Sequence, residues 1–283
     1  MPITTLISPT ELVPHLSEPY WIVVDCRFAL ADPNQGRASY EAFHIPGSVY
    51  AHLNDDLSGP IHIGVTGRHP LPTPEAAAAT FGRLGIAPGM QVVAYDDAGG
   101  ALAAARLWWM LRWLGHDAAA VLDGGWQRWQ RENLPIKTGK ESRPVQNFIH
   151  RPRPEIVVST DQVEAIRHKS TYKLFDARAA ERFRGENETI HPVAGHIPGA
   201  ISAPYAENLT SEGVFRSPEE LRARFTALLG SVPIENVVMY CGSGVTANHN
   251  LLALQIAGLG EAKLYPGSWS EWITDPKRPV EKR

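Results

Sequence analysis

The sequence predicts an α/β protein made of two copies of one domain, each copy a parallel sheet flanked by helices. Three observations carry that reading. A set of landmarks recurs in one order, short apolar runs alternate with longer helical stretches, and 283 residues suit about two domains.

The repeat is visible by eye. WIVVDCRF, HIPGS, VVAYDD and LDGGWQRW follow one another in the first half; YKLFDARA, HIPGA, VVMYCG and YPGSWSEW follow in the second. Asp25 thus matches Asp176, His44 matches His196, Tyr95 matches Tyr240 and Trp126 matches Trp269, at nearly constant separation. Self-similarity of this kind marks an internal duplication. We expect a first domain over 1–134, a connector over 135–155 and a second domain over 156–283. Pro135, Pro144, Pro152 and Pro154 fall in and around the connector. Proline fixes its own φ and biases the residue before it toward extended geometry, so this segment should be an extended strap.

Within each copy, WIVVD, VVAY, KLFDA and VVMY are short, rich in Val, Ile and aromatics, and bounded by turn residues, as buried parallel strands are. LAAARLWWMLRWLG and ANHNLLALQIAGLG have helical length and spacing. Ligands of such sheets bind beyond the carboxyl ends of the strands. The residues that follow VVAY and VVMY are therefore the ones to examine.

Composition narrows the function. Apolar residues make up 43% and charged residues 20%, ordinary values, and 27 basic against 30 acidic side chains give a net charge of -3. This argues against a nucleic-acid binder, which carries a basic surplus. No apolar run is long enough to span a membrane, and the N-terminus lacks the pattern of a signal peptide. The two cysteines, Cys26 and Cys241, form neither a disulfide framework nor a zinc motif, and two free thiols fit the cytoplasm.

After VVMY comes Cys241-Gly242-Ser243-Gly244-Val245-Thr246, and then the helix. Two glycines leave the backbone uncrowded, successive N–H groups can turn inward, and the helix N-terminus adds positive potential. A sulfur anion at the mouth of this loop is well placed to act as a nucleophile. The first copy has Asp96-Asp97-Ala98-Gly99-Gly100 at the matching place, with no thiol. One copy should be active and the other inactive. Cys26, inside WIVVDCRF, reads as structural. His44 and His196, each before Ile-Pro-Gly, read as structural too, and Trp108, Trp109, Trp113, Trp126 and Trp269 as packing residues.

VVDCRF with HIPGS, LDGGWQRW, DARAAERFRG, AGHIPGA and above all CGSGVTA resemble the rhodanese sulfurtransferase family in its tandem two-domain form, over nearly the whole chain. The resemblance implies that Cys241 takes a sulfane sulfur from a small-molecule donor as a persulfide and passes it to a thiol or cyanide. It implies no metal and no organic cofactor, and we expect a monomer. Thiosulfate-type members carry basic residues after the cysteine, whereas the mercaptopyruvate type resembles the Cys-Gly-Ser-Gly-Val-Thr found here. The favoured donor is 3-mercaptopyruvate, with thiosulfate the alternative. Arg182 matches the family's substrate-binding arginine. Position 191, where the mercaptopyruvate type often has a second arginine, holds His191, so either His191 or Arg184 should help bind the donor beside Gly242, Gly244, Val245 and Thr246. The mercaptopyruvate type pairs its cysteine with a serine, a histidine and an aspartate. Ser243 and His69 match the first two, and the acid falls at Asn54 or its neighbour Asp55. The cleft is expected between the domains, with the first domain supplying His69. Arg178 should brace the loops.

Other chemistries fit less well. A cysteine phosphatase needs an arginine six places after the cysteine, and Ala247 stands there. A thioredoxin-like enzyme needs Cys-x-x-Cys, and a serine hydrolase needs the Gly-x-Ser-x-Gly elbow, and both are missing. A non-enzymatic binding module suits the first half but not the intact loop of the second.

Overall fold

The computed structural model describes residues 1–282. The first of its two compact units holds Met1–Gly59, Pro72–Arg153 and Ser211–Phe215. The second holds Pro60–Leu71, Pro154–Thr210 and the residues from Arg216 on. Among the described residues no helix is long and apolar enough to cross a membrane.

The first unit is built on a five-stranded parallel sheet: β1 (Leu6–Ile7), β2 (Trp21–Asp25), β3 (Val49–Tyr50), β4 (Gln91–Tyr95) and β5 (Ala119–Leu122), in the order β1-β5-β4-β2-β3. The second unit has β6 (Lys173–Asp176), β7 (Ile201–Ser202), β8 (Val237–Tyr240) and β9 (Lys263–Leu264), in the order β7-β6-β8-β9. The two orders are the same permutation. Where β1 pairs with β5, the second unit has only a parallel bridge from Val157 to Leu264. The duplication read in the sequence is therefore a duplication of topology.

The four predicted strands appear as β2, β4, β6 and β8. All of β4 and β8 is buried, as continuous apolar runs require. The helices that follow them, Ala104–Trp113 and Ala247–Ile256, are buried on nearly every side, with Trp108 and Trp109 in the first core. Matching residues do matching work. Asp25 brackets Arg27 and Asp176 brackets Arg178 through paired side-chain hydrogen bonds. Each arginine then donates to a carbonyl further along, Phe43 for Arg27 and Gly195 for Arg178, and each lies over a tryptophan, Trp126 or Trp269. His44 and His196 are fully buried, with Nδ1 at 2.7 Å from the carbonyls of Tyr40 and Phe183. They are structural residues.

Two features depart from a simple division of the chain. Most of the proline-bearing strap stays with the first unit: Lys137 bridges His44, and the Gln146, Arg151 and Arg153 amides donate to the Gly82, Leu114 and Trp113 carbonyls. Residues 60–71 belong to the second unit although they precede the strap. His69, expected from the first copy of the repeat, thus packs with the second unit. Gly67 packs against Gly267 so closely that a Cβ there would overlap its carbonyl oxygen, and the Arg68 amide donates to Ser270 Oγ at 3.0 Å.

Candidate active site in the second unit

The loop after β8 is held open from behind. The Cys241 amide donates to Ser268 Oγ (3.1 Å), and the carbonyls of Cys241 and Gly242 accept from the amides of Trp269 and Ser270 (3.0 and 2.9 Å). Ser268 sits at positive φ and donates its hydroxyl to the Tyr265 carbonyl. Asn248, fully buried on the first turn of the helix, donates to the carbonyls of Gly244 and Val245 at 2.9 and 2.8 Å. With the carbonyls clamped outward, the amides of Gly242, Ser243, Val245 and Thr246 have no acceptor among the described residues. Gly244 has φ +74°, and a Cβ on it would overlap the Pro266 carbonyl oxygen. Only glycine fits there.

The first unit shows what such a loop holds. Asp96 takes the place of Cys241, and its carboxylate accepts from the amides of Ala98, Gly100, Leu102, Ala103 and Ala104 at 2.8–3.1 Å. One copy of the loop is occupied by its own anion. The other presents a cysteine. Cys26 is a different kind of thiol: it is fully buried on a strand end, and burial followed by the nearby Asp25 pushes it well up.

Three side chains converge on Gly242. From where a Cβ would stand, His191 Cε1 is 3.2 Å away, Arg68 Nη2 3.6 Å and Arg182 Nη2 3.8 Å. His69 reaches the neighbouring residue, with Nδ1 at 2.7 Å from Ser243 Oγ. The predicted residues Cys241, Ser243, His69, Arg182, His191, Gly242, Gly244, Val245 and Thr246 are thus gathered in one unit.

Asp55 falls outside that unit. It belongs to the first unit, where its exposed carboxylate lies 3.1 Å from His52 Nδ1 and 3.8 Å from Arg37. Among the described residues, the basic side chains within ion-pair distance of Asp55 are therefore His52 and Arg37. Asn54 is exposed. Arg184 is also corrected: it is exposed and pairs with Glu186 at 2.7 Å.

Two residues of the site escaped sequence reading. Glu188 has a side chain 1% exposed and accepts from Arg182 Nε and Nη2, from Arg178 Nη1, and from the amides of Ile190 and His191. Burial alone would raise its carboxyl, but those amides and the Arg182 guanidinium outweigh burial and hold it below its ordinary value. Arg68 is the other. Its Nε is buried without a partner, and no carboxylate lies within ion-pair distance among the described residues. Burial pulls it down, while the Cys241 sulfur nearby pulls it up. Its only sequence signal was its place beside His69.

The charges can be counted. Arg68, Arg178 and Arg182 face Asp176 and Glu188, and both carboxylates are spent on Arg178 and Arg182. One positive charge is in excess, on Arg68. His191 adds none: burial first, then the neighbouring Arg68, lower it to about 4.

Comparison with known proteins agrees with this geometry. The family profile described as a Rhodanese-like domain matches residues 8–132 and 159–275. The chain is 49% identical over 276 residues, 97% of each chain, to a probable 3-mercaptopyruvate sulfurtransferase of Pseudomonas aeruginosa. It is 40% identical over 266 residues to a putative thiosulfate sulfurtransferase of Mycobacterium tuberculosis, covering 91% of this chain and 89% of the other. The crystal structure of a 3-mercaptopyruvate sulfotransferase from Escherichia coli superposes with a TM-score of 0.81 at 34% identity, covering 95% of this chain and 100% of that one.

Proposed function

Because the chain belongs to the rhodanese family of sulfurtransferases, we propose that it moves sulfane sulfur from 3-mercaptopyruvate to a thiol or cyanide through a persulfide on Cys241. The observation that carries this reading is the Cys241 loop itself, with four amides free to hold a sulfur anion and one uncompensated guanidinium beside it. The amides take the sulfur charge and Arg68 takes one carboxylate. A dianion such as thiosulfate brings a second charge that nothing in the site offsets.

The Cys241 thiolate attacks the donor sulfur, an S–S bond forms, and the C–S bond breaks with its electron pair going to carbon. The resulting pyruvate enolate takes a proton delivered through Ser243 and His69, which are already hydrogen-bonded at 2.7 Å. The acceptor then attacks the outer sulfur and Cys241 leaves as thiolate, so the kinetics are ping-pong. Glu188 acts behind Arg182, fixing the direction of its guanidinium.

The test is kcat/KM for 3-mercaptopyruvate against thiosulfate with one acceptor. A ratio above one supports the reading, and a ratio below one favours thiosulfate, the donor type named for the Mycobacterium relative. Arg68→Ala should lower kcat/KM for 3-mercaptopyruvate about thirtyfold, the worth of a charge-assisted hydrogen bond, with Arg68→Lys recovering part of it. An unchanged value in Arg68→Ala would remove it from the site. We further propose a monomer acting in the cytoplasm, where the two unpaired thiols, Cys26 and Cys241, stay reduced.

A further inference from the structure

Arg182 and Arg68 both reach toward Gly242, but they are aimed in different ways. Glu188 accepts from Arg182 and fixes the direction of its guanidinium. Arg68 has no carboxylate within ion-pair distance among the described residues, and its Nε is buried without a partner. A flexible cation that no acid holds is directed by its backbone and by the walls around it. The backbone of Arg68 has a definite anchor: its amide donates to Ser270 Oγ at 3.0 Å, across 202 positions of sequence. Ser270 is buried, and its hydroxyl donates to the Gly267 carbonyl at 3.3 Å, which leaves its lone pairs for the Arg68 amide. The Ser270 amide donates to the Gly242 carbonyl at 2.9 Å. One residue of the helix Ser268–Trp272 thus holds the nucleophile loop with its backbone and the Arg68 segment with its side chain. The seating is close, since a Cβ on Gly67 would stand 2.6 Å from Ser270 Oγ. His69, next in the chain, has an anchor of its own in Ser243 Oγ.

We infer that Ser270 is a positioning residue for sulfur transfer: its hydroxyl sets where Arg68 stands relative to the Cys241 loop. In the reading above Arg68 takes the donor carboxylate, and the inference rests on that. Ser270 acts through Arg68 and not on the donor itself. Removing the hydroxyl leaves the Arg68 N–H without its acceptor, and the segment shifts to find another. The Ser270 backbone meanwhile keeps its hold on Gly242, so the cradle around the sulfur stays formed. Donor binding therefore weakens, while proton delivery through Ser243 and His69 and release of sulfur from Cys241 persist.

The experiment is a double-mutant cycle between Ser270→Ala and Arg68→Ala, with 3-mercaptopyruvate as donor and cyanide as acceptor. Alanine is the best helix former, so the helix should persist, and melting curves should show Tm falling by no more than about 8 °C. Ser270→Ala should lower kcat/KM for 3-mercaptopyruvate about tenfold, mostly through KM. It should leave kcat, and kcat/KM for cyanide, within about threefold of the unaltered protein. In the Arg68→Ala background the same substitution should change kcat/KM by less than about threefold, because the group it positions is gone. Gly67→Ala, whose Cβ would push the segment off the same hydroxyl, should raise KM at least as much as Ser270→Ala does. The inference is overturned if either single substitution leaves KM unchanged, if the cyanide step falls as far as the donor step, or if the losses from Ser270→Ala and Arg68→Ala simply multiply. Should the unaltered protein prefer thiosulfate, the donor reading alone fails. The same cycle run with thiosulfate, also an anion, then still decides whether Ser270 acts through Arg68.

Discussion

Cys241→Ser should abolish sulfur transfer from either donor, with a loss of at least about 10⁴-fold in kcat. The expectation is physical. A serine hydroxyl in the same cradle remains protonated at neutral pH, and its oxygen cannot carry a second sulfur as a stable intermediate. The backbone offers no rescue, because the loop amides stabilise an anion but do not generate one. Intact mass after treatment with donor alone should show one added sulfur on the unaltered protein and none on Cys241→Ser. Cys26→Ser is the matched control. Its thiol is buried at a strand end and pushed well up, so the variant should keep its rate and still gain the sulfur. Retention of more than a few per cent of the rate by Cys241→Ser would end the persulfide scheme.

Gly244→Ala should be nearly as damaging, through the backbone rather than the chemistry. The residue sits at φ +74°, where a side chain costs about 1 kcal/mol or more, and the new Cβ would overlap the Pro266 carbonyl oxygen. The loop must then shift, turning its amides away from the sulfur. We expect kcat/KM to fall at least about 100-fold and Tm to fall by about 8 °C, from roughly 3 kcal/mol of strain and overpacking. Gly213→Ala separates the two causes. Gly213 has φ +75° with nothing within 4 Å of its Cβ position, so it bears the strain without the overlap. It should lose only about 1 kcal/mol and keep full activity. Equal losses in both variants would mean that the close approach to Pro266 does not shape the site.

The site residues legible in the sequence were those carried by local motifs. Cys241 to Thr246 lie on one short loop, so their spacing already places them together. Arg182, His191 and His69 followed from the resemblance, and the structure brings all three to that loop. Asp55 falls outside the unit that holds that loop. Its position was set by matching a nearby segment, while its carboxylate is engaged by His52 three residues away and by Arg37. Glu188 and Arg68 were missed for a common reason. Nothing local marks a glutamate between two arginines, or an arginine next to a histidine, as buried and directed inward.

The sequence by itself determined the duplication, the strand–helix alternation, the parallel sheets and the cysteine-bearing loop after β8. Each of these is written in periodicity, turn residues or a contiguous motif, which act over a few residues. Only the tertiary structure decided that residues 60–71 join the second unit, that Glu188 spends its charge on Arg178 and Arg182, and that Arg68 is left as the excess cation beside a neutral His191. These are outcomes of burial and charge pairing between segments far apart in the chain, and a side chain's protonation and partners are fixed only when those segments meet.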